Sequence, residues 1–256
     1  MNNRVVAQNF DRSVRTYDRH ASVQRKAGRL LLARCPAGVA GDILELGSGT
    51  GLFTEMLVER YPGTAIDALD LSGSMVESLR ARFGGNPEVS CRVADAELFE
   101  PDRKYGLVVS NAVFHWFSRM EDALAKYQGA LLNGGVLAFT AFGPETFREL
   151  REALRAGHTA DVPLSSSSFR TAEDYRARLE WLFPVCRVEE VLLQENYASL
   201  LDLLRAIKRT GTRGYGFNGG VPWSRKTLHR VEESYRDLSG GISATFQLFV
   251  CRAGAS

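Results

Sequence analysis

The chain has 256 residues, 45% apolar and 24% charged, with a net charge of +2 at neutral pH. That length suits one large α/β domain or two small ones with a real core, and the small net charge excludes a bulk electrostatic case for nucleic acid, so any such argument has to be local. Cys35, Cys91, Cys186 and Cys251 are scattered and form no CxxC or Cys/His cluster, which argues against a disulfide framework or a zinc site and for small core hydrophobes.

The opening "MNNRVVAQNFDRSV" is polar and lacks an apolar h-region, so it does not read as a secretory signal. No run of about 18 apolar residues offers a membrane helix. Cytoplasm is the expected location. The segment that follows has Val14, Tyr17, Ala21 and Val23 at rough helical spacing, and Leu30–Leu32 joins it to the core. Strands and helices then alternate: strands over Ile43–Leu46, Ala65–Leu71, Val89–Ala94, Tyr105–Ser110 and Gly134–Phe142, helices over Leu52–Arg60, Ser74–Phe83 and about Met120–Leu132. Short apolar strands alternating with helices predict a parallel, doubly wound α/β sheet covered on both faces.

Beyond Phe142 the pattern changes. A helix is expected over Glu145–Ala156, then a loop, "GHTADVPLSSSSF", then a helix capped by Thr171 with Asp174 at N3. "VCRVEEVLLQENYA" reads as a sixth strand and "ISATFQLFVCR" as the last. Between them, Leu200–Lys208 and Ser224–Leu238 are helical around a glycine-rich loop, so residues 199–239 form an insertion too long for a hairpin. One domain is expected over 1–256, with a helical lid over 1–35, a cofactor-binding core over 36–143 and a substrate or partner insertion over 199–239.

The chemistry concentrates at "ELGSGTG". Gly47, Gly49 and Gly51 make a G-x-G-x-G bend between strand and helix. A dinucleotide fingerprint wants a glycine where Leu52 stands, and a P-loop wants a lysine after the glycines, so neither phosphate reading fits. Asp70, about 20 residues on at a strand end, can accept both ribose hydroxyls. Asp95, at the next strand end, can accept from an adenine amino group, and Glu45 can hold an ammonium. Three acids and no base at the strand ends fit a cationic amino-acid nucleoside.

Glu45-x-Gly47-x-Gly49-x-Gly51, Asp70, Asp95 and "SNAVFHW" together resemble a class I S-adenosylmethionine-dependent methyltransferase over about 41–142. The resemblance implies a Rossmann-like seven-stranded sheet with an antiparallel last strand. It also implies glycines under the methionine and ribose, Asp70 on the ribose, Leu71 and Met75 beside the adenine, Asp95 and Ala96 at its edge, and Asn111 facing the methionine part. The wider chain resembles the malonyl-acyl carrier protein O-methyltransferases of biotin synthesis. The resemblance is carried by Phe10, Tyr17, Asp18, Ala21 and Gln24 in the opening, by "FTAFGPETFREL", by Ile207–Gly211 and by "ISATFQLFVC". Ser48 stands where cysteine is more usual, and His115 where glutamine often stands.

Such an enzyme esterifies the free carboxylate of a malonyl thioester. A carboxylate is ionised at neutral pH, so desolvation and positioning carry the catalysis without a general base. Trp116, Phe114, Phe142, Phe147 and Tyr17 are expected as apolar walls and Tyr17 as a lid with Gln24 nearby. Arg148, or second Lys208, is expected to guide the carboxylate, with His115 packing or hydrogen-bonding near the cofactor. The acidic acyl carrier protein is the expected partner, with malonyl-CoA as a further substrate and no metal, nucleic acid or membrane. Arg205, Lys208, Arg209, Arg213, Arg225, Lys226 and Arg230 form a basic face opposed only by Asp202, and Arg4, Arg12, Arg15, Arg19, Arg25, Lys26 and Arg29 a second opposed by Asp11 and Asp18. Alternatives are a methyltransferase for another small carboxylic acid such as a tricarboxylate, one for a natural product or quinone, and a methyltransferase-fold assembly factor acting on a protein. A nicotinamide dehydrogenase fits least.

Overall fold

A computed structural model describes residues 3–157, 164–210 and 224–254. Two helices open the chain, α1 (Asn3–His20) and α2 (Ser22–Leu32), broken at Ala21. Then follow β1 (Ile43–Leu46), α3 (Leu52–Arg60), β2 (Ile66–Asp70), α4 (Gly73–Phe83), β3 (Val89–Val93), β4 (Tyr105–Ser110), α5 (Met120–Gly129) and β5 (Leu131–Phe142). The second half holds α6 (Arg148–Gly157), α7 (Ala172–Leu182), β6 (Val185–Tyr197), α8 (Leu200–Arg209), α9 (Arg225–Ser239) and β7 (Ile242–Gly254). The glycine-rich loop of 211–223 with Arg213, the stretch 158–163 and the side chain of Arg4 lie outside the described residues.

The strands form one seven-stranded sheet in the order β3-β2-β1-β4-β5-β7-β6. β1 to β5 are parallel, and β7 runs antiparallel between β5 and β6. Every residue of β1 and β4 is buried, as expected for central strands covered on both faces. The side chains divide by the strand period of two. Ile43, Leu107, Val109, Val136 and Ala138 pack with Leu31, Leu57, Leu150, Leu200 and Leu203 on one face. Leu44, Val108 and Leu137 pack with Leu124, Tyr127, Tyr175 and Leu179 on the other.

Local chemistry sets the helix starts. Thr171 and Asp174 form a capping box on α7, Ser72 accepts from the Met75 N–H at the start of α4, and Gly51 opens α3 at φ 92°. α6 begins at Arg148, three residues later than its sequence suggests. Phe147 sits at φ 62°, and its N–H donates to Thr245 O at 2.7 Å, which ties the preceding loop to β7 instead of a helical turn. β5 starts at Leu131, three residues earlier than expected and where a helix end was read, through an irregular register against β4. At the carboxyl edge of the parallel strands, β1 and β4 are neighbours whose connections leave in opposite directions, and the ligand crevice of an open α/β sheet forms there.

Candidate functional site

A cleft of about 750 Å³ opens at that edge, lined by Gly47, Gly49, Asp70, Leu71, Met75, Asp95, Ala96, Asn111, Trp116 and Phe117, with Phe10 and Tyr17 of α1 across it. Asp70 is pinned at both oxygens: the Gly49 N–H donates to Oδ2 at 2.8 Å and the Ser72 N–H to Oδ1 at 2.8 Å. Burial pushes its carboxyl up to about 6, against these two N–H groups. The Glu97 N–H donates to Asp95 Oδ1 at 2.9 Å. Asn111 is fixed from both sides, its Nδ2 donating to Gln24 O and its Oδ1 accepting from Thr140 Oγ1, each at 2.9 Å. The next residue, Ala112, is held at φ 58° with its N–H on the same threonine hydroxyl. Such strain persists only where the surroundings over-determine it.

Helix α1 covers the cleft and is fastened to it. Asp11 accepts from Ser72 Oγ at 2.5 Å, and Asp18 accepts from Thr50 Oγ1 at 2.5 Å and pairs with Arg82. A smaller recess beside the glycines is lined by Tyr17, Gln24, Arg25, Ser48 and Asn111. Gln24 is 8% exposed, and its Oε1 has no hydrogen-bond partner among the described residues.

A second cavity, about 730 Å³, adjoins the first at Trp116, which lines both. Val23, Phe142, Phe147, Phe169, Ile207 and Phe246 make its walls, with Thr146, Ser166, His20 and His115 among its polar groups. No lysine or arginine lines it among the described residues. Its floor is anchored: Gln247 Oε1 accepts from the Glu145 N–H at 2.9 Å, and Ser166 Oγ donates to Thr146 O at 2.7 Å. His115 is buried, and burial pushes its imidazole down to about 3. The ring is therefore neutral. Its Nδ1 accepts from the Phe142 N–H at 3.4 Å, which leaves Nε2–H as the donor.

Residues 44–139 match the methyltransferase domain family. The malonyl-[acyl-carrier protein] O-methyltransferase of Acetivibrio thermocellus is 38% identical over 95% of this chain and 90% of its own. One from Ilyobacter polytropus, malonyl-[acyl-carrier protein] O-methyltransferase 2, is 32% identical over 90% and 88%. The chain belongs to the malonyl-[acyl-carrier protein] O-methyltransferase family. Solved structures share the fold at lower identity. The YcgJ protein from Bacillus subtilis aligns with a TM-score of 0.61 at 16% identity over 90% of this chain and 99% of its own. A Haemonchus contortus phosphoethanolamine N-methyltransferase 2 in complex with S-adenosyl-L-methionine aligns at 0.58 and 15%, over 96% and 57%.

Eight of the ten residues expected at the cofactor line the cleft: Gly47, Gly49, Asp70, Leu71, Met75, Asp95, Ala96 and Asn111. Glu45 and Gly51 stand behind it. Glu45 is 1% exposed and accepts from Thr54 Oγ1 at 2.6 Å, joining β1 to α3. Gly51 sits at φ 92°, where glycine is favoured, and a Cβ there would meet Leu79 and Phe83 of α4 at 2.7 and 2.8 Å. Arg148 lies outside the second cavity, its side chain 43% exposed and paired with Glu149 at 3.3 Å. Lys208 is exposed on α8, whose inner face contributes Ala206, Ile207 and Thr210 instead. Phe114 is stacked on Phe139 in the core and is not a cavity wall. His20, Phe169, Tyr197 and Phe246 were not legible as site residues, because the cavity draws on distant segments and carries no motif.

Proposed function

We propose that the chain transfers the methyl group of S-adenosylmethionine to the free carboxylate of a malonyl thioester borne on acyl carrier protein, giving the methyl ester that begins pimeloyl formation in biotin synthesis. The observation that carries this reading is the apolar cavity, without a lysine or arginine among its described lining residues, that opens beside a nucleoside cleft, on a chain whose relatives bear that activity in their names. Malonyl-CoA offers the same reacting end.

The cleft fits the cofactor by its donor set. Asp70 is held by the backbone N–H groups of Gly49, Ser72 and Leu71 and lines the cleft, where a ribose diol can donate to its carboxylate. A Cβ at Gly49 would project into open space, with only Tyr17 Cε1 near it at 4.0 Å. Leu71, Met75, Ala96 and Phe117 provide apolar walls for an adenine, and Asp95 an acceptor at its edge. Arg25 and the unpartnered Gln24 Oε1 in the recess suit the carboxylate and ammonium of the amino-acid end. No cluster of metal-ligating side chains occurs among the described residues.

When bound, S-adenosylmethionine would supply an electrophilic methyl group; its transfer to a carboxylate oxygen breaks the methyl–sulfur bond, leaves S-adenosylhomocysteine and releases no proton. His115 therefore needs no base role, and its neutral ring serves as a hydrogen-bond donor. The aromatic walls strip water from the carboxylate, and Tyr17 on the fastened helix α1 excludes solvent from the cleft. Outside, Lys208, Arg225, Lys226 and Arg230 are exposed, with no ion pair to a described residue, and suit docking of an acidic carrier. Incubating the chain with S-adenosylmethionine and malonyl-acyl carrier protein, then following ester formation by mass spectrometry, tests the reading; carrier of unchanged mass overturns it.

A further inference from the structure

His20 ends α1, lines the acceptor cavity, and places its Nε2 3.2 Å from a guanidinium nitrogen of Arg209 on α8. An arginine donates and never accepts, so Nε2 is the acceptor and the ring proton resides on Nδ1. Burial, Arg209 and Arg19 all hold the imidazole below its ordinary pKa, which keeps it neutral at pH 7. The other titratable groups on the cavity wall are His115, neutral through burial, and Tyr197 at the end of β6.

We propose that His20, locked as the Nδ1–H tautomer by Arg209, is the donor that receives the acceptor carboxylate, with Arg209 acting through it as a positioning residue. The inference rests on the carboxylate-esterification reading above and names the group among the described lining residues that would hold the carboxylate. The arrangement answers a conflict in the chemistry. A carboxylate must be held in an apolar cavity, yet a cation against it would lower its nucleophilicity. A neutral N–H polarised by an outer arginine holds the carboxylate through one charge-assisted bond and leaves its charge intact. The Thr16 hydroxyl on Arg209 O at 3.4 Å is a further link between α1 and α8 at this point.

The test uses the full chain with ¹⁵N-labelled histidine, its His20 signal assigned by its loss in His20→Asn. The expected spectrum at neutral pH is a neutral Nδ1–H ring that shifts toward the commoner Nε2–H form in Arg209→Met. Adding malonyl-CoA is expected to move the His20 Nδ1 signal, and acetyl-CoA to leave it in place. In turnover, His20→Phe is expected to raise KM for malonyl-acyl carrier protein by about ten- to a hundredfold, the range for a hydrogen bond to a charged group, with little change in kcat. His20→Asn, whose amide N–H stands near the Nδ1 position, is expected to recover most of that loss. A native ring that is charged or protonated on Nε2, or a signal indifferent to malonyl-CoA, overturns the proposal. A native chain that forms no ester while His20 still responds to malonyl-CoA contradicts the proposed reaction and leaves His20 as a carboxylate receiver.

Discussion

Gly49 donates its backbone N–H to Asp70 Oδ2 at 2.8 Å, joining the turn after β1 to the end of β2. The bond fixes the carboxylate that faces the cleft, and the φ of 57° at Gly49 leaves the space above it clear. Asp70→Ala and Gly49→Val are each expected to weaken S-adenosylmethionine binding by at least about a hundredfold, since two hydrogen bonds to a charged group contribute roughly 1.5–3 kcal/mol each. Calorimetric titration measures this. Affinity is also expected to fall as pH drops through about 6, where Asp70 takes up a proton. Unchanged binding in both variants contradicts the cleft assignment.

Glu45 makes a different prediction, about stability. Burial raises its carboxyl from 4.5 to about 8, with the Thr54 hydroxyl opposing. The folded chain thus holds a proton that the unfolded chain releases above its ordinary pKa. This contribution is fully present below 4.5 and is lost as pH rises toward 8, at up to about 1.4 kcal/mol per pH unit. Glu45→Gln keeps a partner for Thr54 and is expected to flatten that slope and to melt above the native chain in alkaline buffer. Parallel pH profiles of melting temperature would rule the effect out.

Much of this was legible in the sequence, and the limits are instructive. The glycine turn, Asp70 and Asp95 announce themselves because each sits at a strand end fixed by local apolar pattern and turn chemistry. The antiparallel last strand followed from the family resemblance. Glu45 and Gly51 share that motif, yet face α3 and α4 rather than the cleft, because strand alternation turns one inward and helix packing claims the other. The second cavity was hidden. Phe169, Tyr197 and Phe246 meet there only after β6 and β7 pair, and no spacing in the chain records that meeting. Arg148 misled because its place after β5 is right while its side chain turns outward to Glu149.

Arg148→Ala is accordingly expected to leave kcat/KM on the malonyl substrate within about threefold of native, since a half-exposed pair of this kind contributes about 0.2–1 kcal/mol. Steady-state kinetics decide it. A loss of a hundredfold or more would return Arg148 to the acceptor site.

On the proposed reading, the exposed cations of α8 and α9 dock the carrier and do not touch its cargo. Reversing charge at Lys208, Arg225 and Lys226 together is expected to raise KM for malonyl-acyl carrier protein by roughly tenfold at low salt and to leave malonyl-CoA nearly unaffected. Competition between the two substrates reads this directly. Equal losses on both would place the defect in the cavity.

The central claim is that a free carboxylate is the methyl acceptor. It is tested most directly by presenting malonyl- and acetyl-acyl carrier protein side by side with S-adenosylmethionine and following the mass of each carrier. The expected result is one added methyl, removable by mild base, on the malonyl carrier and none on the acetyl carrier. Methylation of both, or of neither while the cofactor still binds, would contradict it.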